Sequence, residues 1–358
     1  MKAAICYEFG KQLVVEEVTI DPPQAGEVQI KLAATAICHS DIHLLRGEWA
    51  GAVPVIAGHE SSGTVEAVGA GVSTVQPGDR VVVSLLRSCG RCFFCTIGEP
   101  YLCSGDFALN RQSRVRNQQG QPILQGLYTG TFAESTIVDQ SQCVVIPDAM
   151  PFDRAALLAC GVITGLGAVT NTAKIAARSS VVVIGAGGVG LNAIQGAAMA
   201  GARQIIAVDR LDAKLEAARA FGATHTINGK SEDAIATVLA LTGGMGVDYA
   251  FVTVGSGKAL EQGFAMIRPG GTAVMVGISA TDDPVVLPIR PLTKGRKLLG
   301  SRMGGSHLSI DVPRLVELYL QGKLKLDELI SNRYRLDEIN DALASTESGE
   351  ALRNVILF

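Results

Sequence analysis

The sequence contains few charged residues and no long run of charge. Charged residues make up 18% of the 358 residues, and 31 basic against 34 acidic side chains give a net charge of −3. No charge run reaches five residues, so the chain has neither a basic tail nor an acidic arm. This composition is not typical of a nucleic-acid-binding or a disordered protein. With 47% hydrophobic residues the chain can bury a large core, and its length predicts about two domains.

The sequence also lacks a clear signal peptide or membrane span. The first ten residues, MKAAICYEFG, contain no apolar core of the kind that signal peptides carry. Two apolar segments occur later: 155–169 is too short to cross a bilayer, and 181–202 is interrupted by glycines. We therefore expect both segments to be buried elements, and we expect a cytoplasmic protein without a membrane partner.

Two different patterns divide the chain. Over the first 150 residues, short segments rich in Val and Ile often alternate apolar with polar positions, and turn signals separate them, which predicts an antiparallel, barrel-like β domain. From about residue 178, strand patterns alternate with helical patterns, which predicts an α/β fold with a doubly wound parallel sheet. RKLLGS (296–301) is a candidate sixth strand of that sheet, and a helix is predicted over 312–321.

A glycine-rich loop follows the first strand of the second region. In VVVIGAGGVG, the glycines Gly185, Gly187 and Gly190 stand between a strand pattern and a helix pattern. This context favours a dinucleotide site, in which the turn, the approach of the pyrophosphate and the packing of helix on strand each need a glycine. Asp209 follows 19 residues after Gly190. A carboxylate there binds ribose hydroxyls and repels a 2′-phosphate, so we expect NAD rather than NADP, although Arg210 weakens the argument.

Four of the eight cysteines lie close together. Cys89, Cys92, Cys95 and Cys103 fall within 15 residues. Four thiolates around one ion form a closed tetrahedral site, which predicts structural zinc. An iron–sulfur cluster could occupy the same four ligands. A protein that uses NAD, however, transfers a hydride and needs no one-electron centre. Paired disulfides are not expected in the cytosol.

Three further candidate ligands are scattered along the chain. Cys38, His59 and Cys160 would leave a fourth coordination position open for water or substrate, which is the pattern of a catalytic zinc site. Each residue alone would be ordinary, because an isolated cysteine in an apolar stretch is usually part of the core. We interpret Cys6 and Cys143 in that way.

Several motifs together resemble those of one known family. GHESSGTVEAVGAGV (58–72) matches the signature G-H-E-x2-G-x5-G-x2-V, and CHSDIH (38–43) matches C-x-[ST]-D-x-H. With the four-cysteine spacing and the GAGGVG loop, the chain resembles the zinc-dependent alcohol dehydrogenases of the medium-chain dehydrogenase/reductase (MDR) superfamily over essentially its whole length. The resemblance implies a GroES-like β-rich catalytic domain over 1–161 and 303–358, with the structural zinc lobe at 89–103. It implies a Rossmann NAD-binding domain with a six-stranded sheet over 162–302.

The resemblance also implies roles for particular residues. Cys38, His59 and Cys160 would be the catalytic zinc ligands, and Asp41 would orient His59. Glu60 would lie behind the metal and assist ligand exchange.

Further roles follow from the same resemblance. Ser40 and His43 would form a proton relay that passes through the cofactor ribose. Trp49 and Leu85 are candidate substrate-pocket residues, and Trp49 could narrow the pocket or favour aromatic substrates. Contacts to the cofactor are implied for His39, Thr164, Gly188, Val189, Lys214 and Arg353.

The implied reaction is reversible hydride transfer between an alcohol, primary, aromatic or medium-chain, and NAD, with two zinc ions per chain. One alternative is a dehydrogenase of a thiol adduct of formaldehyde, such as S-hydroxymethyl-glutathione. The loop after Cys103 is shorter than in the glutathione-dependent relatives, and no clear counterpart of their glutathione-binding arginine exists, although Arg111, Arg114 and Arg116 lie there. Another alternative is a non-catalytic nucleotide-binding protein, which we would expect to have lost zinc ligands or relay residues. We expect a small-molecule substrate and a homo-oligomer, a dimer or a tetramer, with 291–301 as a candidate interface strand.

Overall fold

The chain divides into two compact units. The computed structural model describes residues 1–279 and 283–358. The first unit comprises Met1–Cys160 and His307–Phe358, and the second comprises Gly161–Ser306. These boundaries lie one and four residues from those that the resemblance implies.

Most strands of the described residues lie before residue 150, and most helices lie after it. The strands are β1 (Lys2–Ile5), β2 (Val14–Glu17), β3 (Thr19–Ile20), β4 (Glu27–Ala36), β5 (Val55–Ile56), β6 (Glu60–Val68), β7 (Arg80–Ser84), β8 (Val115–Arg116), β9 (Pro122–Gln125), β10 (Ser135–Asp139), β11 (Cys143–Val145), β12 (Ser180–Ile184), β13 (Gln204–Asp209), β14 (His225–Asn228), β15 (Val247–Val252), β16 (Ile267–Met275), β17 (Lys297–Gly300), β18 (Ile330–Arg335) and β19 (Arg353–Leu357). The α-helices are α1 (His39–Leu45), α2 (Phe93–Thr96), α3 (Phe152–Leu157), α4 (Ile163–Gly167), α5 (Gly188–Met199), α6 (Asp212–Ala220), α7 (Ala234–Leu241), α8 (Gly257–Met266), α9 (Ile289–Leu292), α10 (Leu308–Leu320) and α11 (Ile339–Glu347).

The first unit is built on a seven-stranded sheet. Its strands run in the order β11-β7-β6-β4-β19-β18, and β10 pairs with β4. Most pairs are antiparallel, as the alternating pattern predicts, but β18 and β19 are parallel. A four-stranded sheet (β3-β8-β9-β5) and the β1–β2 pair complete the unit. One apolar core includes Ile5, Phe132 and Ile356. Strands that bury only one face explain why apolar and polar residues alternate in this part of the sequence.

The second unit contains a parallel six-stranded sheet. Its order is β14-β13-β12-β15-β16-β17, which is 3-2-1-4-5-6 in the order of the strands along the chain. This is the Rossmann order, and the predicted fold class is therefore confirmed. The central strands are buried on both faces, which explains why residues 181–184 of β12, VVVI, are continuously apolar. RKLLGS does supply the sixth strand, β17.

Helix α10 begins four residues before the predicted start at residue 312. The carboxylate of Asp311 accepts a hydrogen bond from the backbone N–H of His307 at 2.8 Å, and this bond stabilises the earlier first turn. Pro313 consequently lies inside the helix rather than near its start.

The apolar segment 155–169 belongs to a longer helical run than the sequence suggested. Helices α3 and α4 alternate with π-helical turns at Leu158–Val162 and Ala168–Ala173. The whole run, Phe152–Ala173, has 22 residues, so our expectation that it is too short to span a membrane was wrong on length. Within the protein, however, 83% of its most apolar window is buried, which is typical of a core helix.

Candidate active site

Three adjacent strands bring the candidate zinc ligands to one end of a sheet. Ala36 at the end of β4 pairs with Glu60 at the start of β6 and with Val355 near the start of β19. Cys38 lies two residues beyond Ala36, and Arg353 lies two residues before Val355. Residues far apart in sequence are thus placed side by side by the register of the sheet.

Asp41 connects the Cys38 segment to the His59 segment. As the third residue of α1, it accepts the backbone N–H of Cys38 on Oδ2 at 3.0 Å, as the acid of a capping box does. Its Oδ1 accepts the N–H of Gly58 at 2.9 Å and lies 2.9 Å from Nδ1 of His59. The carboxylate is fully buried, and its contact with Nδ1 fixes the orientation of the imidazole ring.

Gly58 makes this arrangement sterically possible. Its φ is +92°, and a Cβ there would lie 2.6 Å from the ring of Phe132 and 2.7 Å from Thr131 Oγ1. Only glycine adopts this positive φ readily and, having no Cβ, leaves Phe132 and Thr131 in place. With Nδ1 held by Asp41, Nε2 of His59 is buried and has no hydrogen-bond partner among the described residues.

Four buried side chains converge around that nitrogen. Donor atoms of Cys38, His59, Glu60 and Cys160 all lie within 4.8 Å of one another. Cys160 belongs to the π-helical turn, an irregularity that often occurs at functional sites. Sequence reasoning named the same four residues, with Glu60 assigned behind the metal rather than among the donors. The structure places its carboxylate within reach of an ion held by the other three.

The pKa values of the side chains in this cluster depend on one another. Because Cys160 donates a hydrogen bond to the sulfur of Cys38, the pKa of Cys38 lies well below its usual value despite burial. The same bond, together with burial, raises the pKa of Cys160. Burial disfavours the imidazolium of His59, but the adjacent Asp41 charge outweighs it and raises the pKa of His59.

Glu60 is the fourth acid of the cluster. Burial raises the pKa of Glu60 to about 7, although the guanidinium of Arg353 opposes the shift. Arg353 forms an ion pair with Glu60 Oε2 and is itself buried, whereas the resemblance implies a cofactor contact for it. Glu60 Oε1 has no hydrogen-bond partner among the described residues.

This donor set fits a divalent cation. Two sulfurs, an imidazole nitrogen and a carboxylate oxygen are buried together, and two of these atoms are otherwise unsatisfied. Thiol and imidazole ligands favour zinc over the harder cations magnesium and calcium. A cation here would replace the protons that the thiols share, as metal ligation generally does.

The four-cysteine lobe has the features of a closed zinc site. The sulfurs of Cys89, Cys92, Cys95 and Cys103 lie within 4.8 Å of one another. Backbone N–H groups donate to sulfur at 3.3 Å, from Cys92 to Cys89 and from Gly105 to Cys103. A Cβ at Gly105 would lie 2.6 Å from that of Cys89, so this glycine, which sequence reasoning missed, belongs to the lobe. Its only sequence signal is its position two residues after Cys103.

The glycine loop between β12 and α5 fits a pyrophosphate. Gly185 has a φ of +95°, and a Cβ at Gly190 would lie 1.8 Å from the carbonyl oxygen of Gly185. A Cβ at Gly187 would meet nothing within 4 Å, so the space above this residue is open to a ligand. The N-terminus of α5, beginning at Gly188 and Val189, borders the same loop.

Asp209 ends β13 beside this loop. Its Oδ2 accepts the N–H of Ala186 at 2.7 Å, and its Oδ1 accepts the N–H groups of Arg210 and Leu211 at 2.7 and 3.1 Å. These bonds hold the carboxylate beside the loop, and Oδ2, which accepts a single N–H, keeps a lone pair for a ribose hydroxyl. Arg210 is exposed and Lys214 is half-buried on α6.

The remaining predicted residues lie on several elements. In the first unit, Ser40 and His43 are separated by three positions on α1, which places them on one face of the helix. His39, the first residue of α1, is exposed, and Leu85 is half-buried after β7. In the second unit, Thr164 is buried on α4. The cofactor contacts of His39 and Thr164 and the pocket role of Leu85 stay predictions.

His43 has two neighbours on the segment that follows its helix. Nδ1 of His43 contacts the carboxylate of Glu48, and the Trp49 ring lies 5.4 Å from the imidazole ring between centroids. The resemblance implies that Trp49 lies near the substrate, but it does not indicate a role for Glu48. The available signal was Gly47, which ends α1 and turns the chain back.

A Rossmann unit with an open glycine loop and a β-rich unit with two thiolate clusters define a zinc-binding, nucleotide-dependent dehydrogenase. The family model described as the alcohol dehydrogenase GroES-like domain matches residues 24–148, and the zinc-binding dehydrogenase model matches residues 188–321. A class-3 alcohol dehydrogenase from Zea mays is 40% identical over 367 residues, covering 99% of this chain and 96% of the relative.

Solved structures agree with these matches. A benzyl alcohol dehydrogenase from Acinetobacter calcoaceticus is 33% identical with a TM-score of 0.93, covering 100% of this chain and 99% of that one. A zinc-binding dehydrogenase from Sinorhizobium meliloti 1021, solved with NADP bound, is 28% identical with a TM-score of 0.83 and the same coverage. This chain belongs to the zinc-dependent alcohol dehydrogenases of the MDR superfamily, and the predicted family is confirmed.

Proposed function

We propose that the protein is an NAD-dependent alcohol dehydrogenase with one catalytic and one structural zinc per chain. The observation that carries the proposal is the buried convergence of Cys38, His59 and Cys160, with Nε2 of His59 otherwise unsatisfied. A zinc site with three protein ligands and an open position is catalytic, whereas the four-cysteine site is closed. The retention of every ligand argues against a non-catalytic nucleotide-binding protein.

The residues around the catalytic site would hold the zinc and orient its ligands. Zinc, when bound there, lowers the pKa of an alcohol hydroxyl and polarises a carbonyl. Asp41 fixes the ring of His59, and Arg353 holds Glu60 against the donor set. NAD, when bound to the second unit, accepts the hydride.

Ser40 and His43 are proposed to move the proton that the alcohol loses. The Ser40 hydroxyl accepts that proton on Oγ and releases its own toward His43, whose imidazole takes up a proton and then gives it to solvent. The side chain of His43 is 26% exposed, so it can exchange protons with water. Each transfer requires hydrogen-bond distance, which accounts for the dense polar sequence after Cys38.

The choice of NAD is proposed to depend on the charge of Asp209. We expect at least about a tenfold preference for NAD over NADP in kcat/KM, because the carboxylate repels a 2′-phosphate. Asp209→Asn removes the charge and keeps the size and one acceptor oxygen. We expect the preference to fall by about tenfold or more, measured as kcat/KM for each nucleotide at saturating alcohol.

Asp212→Asn is the matched control for this measurement. Asp212 is an exposed carboxylate three residues away and hydrogen-bonds Asn228 rather than the glycine loop. It should leave the NAD preference unchanged. A preference for NADP in the unmodified protein would contradict the role of Asp209.

We propose a primary, aromatic or medium-chain alcohol as substrate, supported by Trp49 beside the relay residue His43. The thiol-adduct alternative has less support, because its candidate arginines already have carboxylate partners. Arg114 forms a buried two-bond ion pair with Glu27, at 2.6 and 2.9 Å. The partners of Arg111 and Arg116 are Asp106, at 2.7 Å, and Asp21, at 3.7 Å.

Zinc content and NAD reduction on a panel of primary, secondary and aromatic alcohols, with and without glutathione, test the proposal. We expect two zinc ions per chain and turnover that does not need glutathione. Turnover only of formaldehyde with glutathione would instead support the thiol-adduct alternative. One zinc per chain without turnover of any alcohol would refute a working site at Cys38, His59 and Cys160.

We also propose that the chain assembles with a second copy of itself, as a dimer or a tetramer. Strand β17 is the edge of the six-stranded sheet, and all four of its residues are exposed. Leu298 and Leu299 are 41% and 37% exposed. An exposed apolar edge strand favours pairing with another chain, and the mass in solution measures it. We further propose a cytoplasmic location, where free thiolates remain reduced.

A further inference from the structure

The end of helix α1 directs Glu48 back to His43. The helix stops at Leu45, and Gly47 has a φ of +72°, the left-handed conformation that ends many helices. The backbone N–H of Glu48 then bonds the carbonyl of His43 at 3.0 Å. The turn therefore holds the backbones of these two residues together before their side chains meet.

The side chains meet at one nitrogen of the imidazole. A Glu48 carboxylate oxygen contacts Nδ1 of His43, while Trp49 covers the ring at 5.4 Å with an interplanar angle of 34°. The hydrogen bond from His43 lowers the pKa of Glu48, so Glu48 is ionised at neutral pH and can only accept. The proton of neutral His43 must then lie on Nδ1, and Nε2 is the basic nitrogen.

We propose that Glu48 is a positioning residue for proton transfer. It selects the Nδ1–H tautomer of His43, presents Nε2 as the proton acceptor and stabilises the imidazolium that forms. A carboxylate that orients a histidine and raises its basicity acts in this way in many catalytic sites. This inference rests on the proposed relay role of His43.

Further charged or titratable groups lie on the same helix and on the turn that follows it. Arg46, on the same turn, lies 3.7 Å from the second Glu48 oxygen. Its other partner is Glu347 of α11, at 3.0 Å. His39 lies one helical turn before His43. Arg46 reduces the influence of Glu48 without removing it, because it contacts the oxygen that does not face His43.

Glu48→Gln tests the inference, since it keeps the shape and removes the charge. Without the carboxylate the preference for a proton on Nδ1 is lost, because the amide of Glu48→Gln can donate as well as accept a hydrogen bond. Long-range ¹H–¹⁵N spectra of the zinc-loaded enzyme can measure the tautomer of His43, because the chain has only five histidines. His43→Gln assigns the signal. We expect the Nδ1–H tautomer in the unmodified protein and a mixture in Glu48→Gln.

The pH profile provides the second measurement. If neutral His43 accepts the proton, kcat/KM for alcohol oxidation depends on the tautomer that presents Nε2. Glu48→Gln should therefore lower kcat/KM by about tenfold and change its pH profile. Glu48→Asp, which keeps the charge on a shorter side chain, should restore part of the loss. Glu347→Gln removes the other partner of Arg46 and should change neither the tautomer of His43 nor the profile.

The outcomes separate this inference from the proposed function. An unchanged tautomer in Glu48→Gln would overturn the inference. A changed tautomer with an unchanged kcat/KM and pH profile would also overturn it, because proton transfer would then not depend on Glu48. If the unmodified protein reduced no NAD with any alcohol, the proposed function would fail, whatever the spectra showed.

Discussion

His59→Ala is expected to remove the catalytic zinc and to lower kcat/KM for alcohol oxidation by at least about 1,000-fold. His59 contributes one of the convergent donors, and its Nε2 has no hydrogen-bond partner among the described residues, although Glu60 Oε1 lies 3.9 Å away. Without the imidazole, two thiols and a carboxylate remain, and the Arg353 ion pair already engages that carboxylate. Loss of the Lewis acid removes several kcal/mol of transition-state stabilisation, which accounts for the size of the effect.

Zinc analysis and circular dichroism should accompany the rate measurement. We expect zinc to fall from two ions to one per chain while the spectrum of the folded protein persists. Asp41→Asn is a milder variant for comparison, because it keeps His59 and weakens only the hydrogen bond that orients the imidazole ring. It should reduce activity or metal affinity by about 10–100-fold. Normal turnover by His59→Ala with a single zinc per chain would contradict the catalytic site.

Cys103→Ser is expected to remove the other zinc and to destabilise the first unit by several kcal/mol, lowering Tm by about 10 °C. Cys103 accepts backbone N–H groups from Cys89 and Gly105, both at 3.3 Å, so its sulfur also organises the loop around the ion. None of the four cysteines is fully buried, so burial of these side chains contributes little to the stability of the segment. Tm from thermal unfolding and zinc per chain measure the two effects.

Cys6→Ala is the matched control for this prediction. Cys6 is a buried cysteine of the apolar core and belongs to neither cluster of donors. It should keep both zinc ions and lower Tm less than Cys103→Ser does. Iron in the unmodified protein would indicate an iron–sulfur cluster instead, and an unchanged zinc content and Tm in Cys103→Ser would rule out a structural role for the lobe.

Features that are local in sequence could be predicted from the sequence. The glycine loop follows its strand directly, because the turn, the open approach and the close packing involve residues 185–190 alone. The four-cysteine lobe lies within 15 residues, so spacing was sufficient to predict a common ion. The apolar runs and their helical partners similarly predicted a parallel sheet, including its sixth strand.

The element boundaries were less predictable. The π-helical turns that extend the helical run to Ala173 have no simple periodic signal, and the earlier start of α10 depends on one hydrogen bond that Asp311 accepts from the N–H of His307. The contact between Glu48 and His43 likewise depends on the conformation of Gly47. Such details arise from competition between individual hydrogen bonds, which residue patterns do not resolve.

The sequence by itself determined the family, the two-domain plan, the nucleotide loop and the four-cysteine lobe. Only the tertiary structure decided how Cys38, His59, Glu60 and Cys160 come together and that Arg353 lies on Glu60. The physical reason is that strands separated by up to about 300 residues pair at Ala36, and the register of β-sheet pairing is set by the packing of whole strands. Periodicity and spacing report on neighbours along the chain, whereas this site is assembled across a sheet.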